Sequence, residues 1–149
     1  MPEIRPANPS DLDGLVDLLG HLFAQEADFA PDPDKQRWGL EAILAQPNIG
    51  QIFVAEDHGA LVAMVSLLFA VSTAEGGRVA WLEDMVVTPT HRSSGIGSQL
   101  LRHALEFARA SDSRRVTLLT DSVNAAAQRF YARHGFAKSQ MVAMRWRPS

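Results

Sequence analysis

Cysteine is absent from the 149 residues, which excludes disulfides, thiolate metal sites and a cysteine acyl-enzyme. No apolar run approaches the length that spans a bilayer, and the N-terminus lacks a basic, apolar leader. A cytoplasmic location with no membrane partner is therefore the default expectation. Repeats and low-complexity tracts are missing too. The five histidines, His21, His58, His91, His103 and His134, are scattered without metal-ligand spacing, so no metal is assigned. There is no Gly-x-Ser-x-Gly elbow, which disfavours a serine hydrolase. No nucleic-acid recognition motif is present and the chain is acidic overall, which disfavours nucleic-acid binding.

The net charge of −3 hides an asymmetry. Residues 1–91 carry 14 acidic side chains against 4 basic ones, whereas residues 92–149 carry 10 basic against 3 acidic. Solvated charged faces account for such a split. So does a protein with two substrates, in which the basic half holds a polyanion and the acidic half faces a cation.

The length suits one domain over residues 1–149. Glu3-Ile4-Arg5 reads as a first strand closed by Pro6. Ser10 can cap a helix whose apolar positions Leu12, Leu15, Val16, Leu19, Leu22 and Phe23 recur at helical spacing. Residues 26–34 hold two prolines and read as a loop, and a weaker helix follows from about Asp34 to Ala45, interrupted by Gly39. Residues 51–56, 61–71 and 79–87 read as strands joined by turns at Asp57-His58-Gly59 and Glu75-Gly76-Gly77. A helix is expected over 96–110, a short strand over 116–120, a helix over 124–134 ended by Gly135, and a closing strand over 141–146. The alternation gives an α/β or α+β domain around a mixed sheet of about six to seven strands with about four helices.

The most informative stretch runs from Leu82 to Gly97: a buried strand, a turn with Pro89, and a glycine-rich loop opening into a helix. Such a junction leaves several backbone N–H groups unpartnered at the positive end of the helix dipole, and so forms an anion site. Gly97 is followed by Ser98-Gln99 rather than Lys-Ser, so the loop is not a Walker A motif. Leu100 stands where the dinucleotide fingerprint needs its third glycine. What remains is Arg92-x-x-Gly95-x-Gly97. Downstream lies Asn124-x-x-Ala127-x-x-Phe130-Tyr131-x-x-x-Gly135-Phe136. Taken singly, these residues are explained by helix packing at Phe130 and Tyr131 and helix termination at Gly135.

In this order, with a helix and a strand between them, the two motifs make the chain resemble the GNAT superfamily of acetyl-CoA-dependent N-acetyltransferases over nearly its whole length. Glu83-Asp84 with the glycine loop, Arg129-Phe130-Tyr131 and Ile4-Arg5-Pro6-Ala7 are similar to its diamine and spermidine/spermine branch.

The resemblance implies a GNAT-like fold with two central strands splayed apart, a bulge that leaves backbone groups of one of them free, and direct attack of an amine on the thioester of acetyl-CoA. It places the pantetheine arm along Leu82–Val87, with Met85 and Val87 as main-chain partners beside Val86 and one N–H polarising the thioester carbonyl. Arg92, Ser93, Ser94, Gly95, Ile96, Gly97 and Ser98 cradle the diphosphate. Asn124 holds the pantetheine amides, or simply caps its helix. Glu83 is the candidate base for an ammonium of pKa about 10.4; binding the cation, or a solvated charge at a strand, are its other readings. In a regular strand Asp84 points to the opposite face from Glu83. Tyr131 is the candidate acid for the departing thiolate, uphill by about 2 kcal/mol from a phenol near 10 to a thiol near 8.5. Glu26 and Asp28 lie where the family builds its acceptor wall; an exposed acidic loop explains them equally well. The implied acceptor is a small cationic amine such as a diamine or polyamine. A noncatalytic acyl-CoA sensor and a peptide or protein N-acetyltransferase are the alternatives. Homodimers are common in the family, and nothing in the sequence establishes one here.

Overall fold

The computed structural model describes residues 2–25 and 30–149, in two compact units, Met1–Leu119 and Thr120–Ser149. The first unit contains five strands: β1 (Glu3–Pro6), β2 (Gly50–Asp57), β3 (Ala60–Ser72), β4 (Gly77–Val87) and β5 (Val116–Leu118). They form one mixed sheet in the order β1-β2-β3-β4-β5, antiparallel except for the parallel β4–β5 pair. Its helices are α1 (Leu12–Gln25), α2 (Pro33–Leu44) and α3 (Ile96–Ala110). The fold class is α/β as expected.

Side chains alternate across the sheet and build two cores. Ile52 and Val54 of β2, Met64 of β3 and Val86 of β4 pack with Leu15, Leu18 and Leu19 of α1 and Leu40 of α2. Phe53, between Ile52 and Val54, turns to the other face and meets Phe107 of α3 edge-on, with centroids 5.1 Å apart. Along α3, Ile96, Leu100, Leu101, Ala104 and Ala108 are buried, as their helical spacing requires. Gly14 lets α1 sit close to β3, since a Cβ there would lie 2.9 Å from Leu61 Cδ1.

The first helix starts differently from the sequence expectation. A one-turn 3-10 helix over Pro9–Asp11 precedes α1, and Asn8 rather than Ser10 caps it. Asn8 Oδ1 accepts from the Ser10 N–H at 2.9 Å, while Asp11 accepts from the Asn8 N–H at 2.8 Å, a reciprocal box that Pro9 pre-forms.

In the second unit, α4 (Ala125–Arg133) is capped by Asn124, whose Oδ1 accepts from the Ala127 N–H at 3.0 Å. It ends in a left-handed Gly135 with φ 93°. The Gly135 N–H bonds the Ala132 carbonyl and the Phe136 N–H bonds the Tyr131 carbonyl, both at 3.1 Å, while the Tyr131 and Phe136 rings close the motif. The expected strand over 141–146 is not formed: residues 137–149 adopt no helix or strand, and Met141, Val142, Met144 and Trp146 are exposed. A strand carries no hydrogen bonds of its own, and among the described residues no strand ladder includes this segment. The sheet therefore has five strands, not six or seven, with four helices as expected.

Candidate functional site

β4 is the strand around which the site is built. It pairs with β5 only through Ala80↔Val116, Trp81↔Thr117 and Leu82↔Leu118. Among the described residues the ladder with β5 ends at Leu82, in keeping with the splay that the resemblance implies. On the other edge, β3 and β4 slip register: Ser66 faces Glu83 and Met64 faces Val86. Val65 alone therefore spans Asp84 and Met85, a bulge in β4. Asp84 takes up the extra residue at φ 55°. This corrects the assumption of a regular strand. Because Met64 and Ser66 share a face, Val86 and Glu83 do too, three residues apart, and the two-residue alternation fails at Asp84.

Beyond the bulge, the Thr88 N–H donates to the Val62 carbonyl at 2.8 Å. Pairs at Thr88 and Val86 are thereby the hydrogen-bonded ones, so the N–H and C=O of Val87 point away from β3, toward the open edge. The Arg92 Nε donates to that carbonyl at 3.2 Å. Met85 lies within the bulge. Val86 is buried in the core and its N–H and C=O face Met64, so neither its side chain nor its main chain turns to the open edge.

The loop after β4 begins with a 3-10 turn, Pro89–His91, and reaches α3 through two left-handed residues, Ser93 (φ 63°) and Gly95 (φ 87°). Gly95 is the N-cap of α3 and provides no side-chain cap. The first-turn N–H groups, at Ile96, Gly97 and Ser98, therefore have no side-chain acceptor from that position. Ile96 is buried and anchors the helix, so its side chain is not available to a ligand. Ser94 Oγ closes the loop on the His91 carbonyl.

Glu83 remains open to solvent on one side, yet partial desolvation pushes its carboxyl above the usual range. Its cross-strand neighbour Ser66 is fully buried, and the Ser66 Oγ has no hydrogen-bond partner among the described residues. Tyr131, in the second unit, stands edge-on between Phe130 and Phe136, with centroids 5.2 and 5.6 Å away. Burial pushes its phenol up to about 12. Asn124 uses Oδ1 for the α4 cap. Glu26 and Asp28 lie outside the described residues.

Sequence reasoning passed over Ser66, although a lone polar residue inside the apolar run 60–71 was visible. It also passed over His91, whose ring reaches Asp57 at the β2–β3 turn; sequence proximity carries no trace of that contact. A recess of about 440 Å³ lies between α1 and that turn, lined by Asp11, Gly14, Asp17, His21, Glu56 and Leu61 among others, and it holds none of the expected site residues. Arg5 already pairs with Asp11 and Glu56 there. Among the described residues no cluster suits a metal ion, and no helix is long and apolar enough to cross a membrane.

The family model described as the acetyltransferase (GNAT) family matches residues 14–136. An aminoalkylphosphonate N-acetyltransferase from Salmonella typhimurium is 32% identical over 137 residues, covering 92% of this chain and 86% of the relative. A streptothricin acetyltransferase from Streptomyces lavendulae is 31% identical, covering 91% and 81%. Among solved structures, a putative acetyltransferase from Agrobacterium tumefaciens superposes with a TM-score of 0.83 at 30% identity, covering 97% of this chain and 99% of its own.

Proposed function

The chain belongs to the acetyltransferase (GNAT) family, and we propose that it transfers the acetyl group of acetyl-CoA directly to a small cationic primary amine. Residues 1–149 act in this reading as one GNAT-like domain. The observation that carries it is the edge of β4: the Val87 N–H turned away from β3, next to a loop whose helix start lacks a side-chain cap. An extended amide-bearing arm fits the first, and a diphosphate fits the second.

In this reading Met85 and Val87 bind the pantetheine arm, flanked by Val86. Arg92, Ser93, Ser94, Gly95, Ile96, Gly97 and Ser98 receive the diphosphate. Asn124 contributes by holding the start of α4. The amine nitrogen attacks the thioester carbonyl carbon, the C–N bond forms, the C–S bond breaks, and the departing thiolate takes up the nitrogen's second proton, directly or through water, to leave as the thiol. The proton of the incoming ammonium passes to Glu83, directly or through water, and desolvation of that carboxyl strengthens it as a base. Tyr131 supports the thiolate with a hydrogen bond. Its raised phenol is protonated at neutral pH, so the donor is always present.

The acceptor is assigned by charge. Glu83 and an excess of carboxylates in residues 1–91 favour a cation, and Glu26 and Asp28 are assigned to its wall. A diamine or polyamine satisfies this. An aminoalkylphosphonate, the substrate class in the name of one relative, pairs the amine with an anionic end and is the competing acceptor. A noncatalytic sensor needs no desolvated carboxylate beside the cofactor strand, and Glu83 argues against it.

Thiol release from acetyl-CoA, measured with spermidine, short diamines, aminoalkylphosphonates, amino acids and a peptide, tests the proposal. Release stimulated by diamines or polyamines is expected. Stimulation by aminoalkylphosphonates alone overturns the polyamine assignment, and cofactor binding without release for any amine favours the sensor.

A further inference from the structure

The loop between β4 and α3 is short of internal support. Arg92 and Ser94 tie it to Val87 and His91, but its two left-handed residues, Ser93 and Gly95, leave the backbone no regular ladder. His91 is different, because every polar group it has is engaged. Its N–H donates to the Thr88 carbonyl at 3.0 Å, and its carbonyl accepts from Ser94 Oγ. Its ring Nδ1 lies 3.0 Å from Thr90 Oγ1 and 3.3 Å from Thr88 Oγ1. Its Nε2 lies 2.9 Å from Asp57 Oδ2, and this contact holds the Asp57 carboxyl below the usual carboxylate range.

Asp57 is a rigid anchor. It is the last residue of β2, paired with Ala60 across a tight turn whose centre, His58 (φ 50°) and Gly59 (φ 80°), has the left-handed geometry that suits hairpins. Its other oxygen, Oδ1, lies 3.1 Å from the His58 ring. The contact joins residues 34 positions apart in sequence, so it fixes the glycine loop to an element outside the strand and helix that the loop connects.

We infer that His91 is a positioning residue: clamped by Asp57, it pre-sets the loop so that its N–H groups converge on the cofactor diphosphate. The inference rests on the assignment of that loop to the diphosphate. Without the clamp, the loop would have to be ordered at the moment of binding, and that cost falls on cofactor affinity rather than on the chemical step.

The sign of one substitution separates this role from simple electrostatics. Asp57 is a negative charge near a proposed anion site, so removing it should leave acetyl-CoA binding unchanged or tighter if charge alone mattered. The clamp requires the reverse. We expect Asp57→Ala and His91→Ala each to raise the Kd and KM for acetyl-CoA about tenfold, the scale of one charge-assisted hydrogen bond, with kcat within about twofold. The double variant should be no worse than either single one, because both break the same link. His91→Gln, which can still donate toward Asp57, should recover part of the loss.

Calorimetric titration with acetyl-CoA, alongside steady-state kinetics and circular dichroism of each folded variant, decides it. Unchanged or tighter binding by Asp57→Ala, or losses that add in the double variant, overturn the clamp while the diphosphate assignment stands. Failure of the wild-type protein to bind acetyl-CoA overturns both.

Discussion

Losing water makes Glu83 a better base. Desolvation raises its carboxyl above the range near 4.3 of a free glutamate, which narrows the gap to an ammonium. Glu83→Gln should therefore lower kcat/KM for the amine at least tenfold, in the range removed with a general base, with the KM for acetyl-CoA within about twofold. The wild-type acid limb should titrate above an ordinary carboxylate, and a variant with wild-type kcat/KM would remove Glu83 from the chemistry. Desolvation raises the Tyr131 phenol as well, which makes it a weaker acid. From a phenol near 12 to a thiol near 8.5, full proton transfer is uphill by about 5 kcal/mol, not the about 2 kcal/mol of an unperturbed tyrosine. Its burial thus favours a hydrogen bond to the thiolate over complete transfer. Tyr131→Phe should lower kcat about tenfold or more with cofactor affinity nearly unchanged; equal turnover would exclude the role. Both residues were legible as candidates from their motifs. The pairing of Ser66 with Glu83 was not, because strand register brings them together across the 16 residues 67–82 that separate them in the chain.

At the scale of elements, the β4–loop–α3 unit carries the proposed cofactor site. Gly95 sits at φ 87°, where an L side chain is strained, although a Cβ there would meet nothing within 4 Å. Gly95→Asp adds that strain and places a carboxylate at the helix start where the diphosphate is assigned. We expect loss of acetyl-CoA binding by at least about a hundredfold, two steps of about 1.4 kcal/mol each, as read by calorimetry; retained affinity would place the diphosphate elsewhere. The bounds of α3, Ile96–Ala110, agree with its periodicity because its buried stripe is continuous. The bulge in β4 left no such trace. Asp84 adopts its positive φ because two β4 residues must oppose Val65, and that count is a property of the pair of strands. The expected strand over 141–146 failed for a related reason: apolar residues suggest a strand, but only a partner makes one.

Across the whole molecule, the N-terminal strand is tied to the sheet and to the entry of α1 by one arginine. Arg5 donates to Asp11 at 2.8 and 3.0 Å and to Glu56 at 2.6 Å. Its hydrogen bonds, with that of the Asn8 N–H, hold the nearly buried Asp11 carboxyl below its usual range against the opposing effect of burial. A depressed carboxyl means that the unfolded chain binds more protons in that window. Its stabilisation is therefore present above about pH 3.9 and is lost as pH falls through the native value. Arg5→Met should cost about 3 kcal/mol by stranding that carboxylate, lowering the urea midpoint and weakening the acid dependence. An unchanged midpoint would show that the cluster is not stabilising. By itself the sequence determined the α/β class, most element positions, the helix-spaced core and the two motifs, because periodicity, turn residues and glycine loops act over a few neighbouring residues. Tertiary structure alone decided the strand count, the position of the bulge at Asp84, the pairing of Ser66 with Glu83 and the tie between His91 and Asp57. Each of these depends on which distant backbone supplies the hydrogen-bond partner, and local sequence cannot specify that choice.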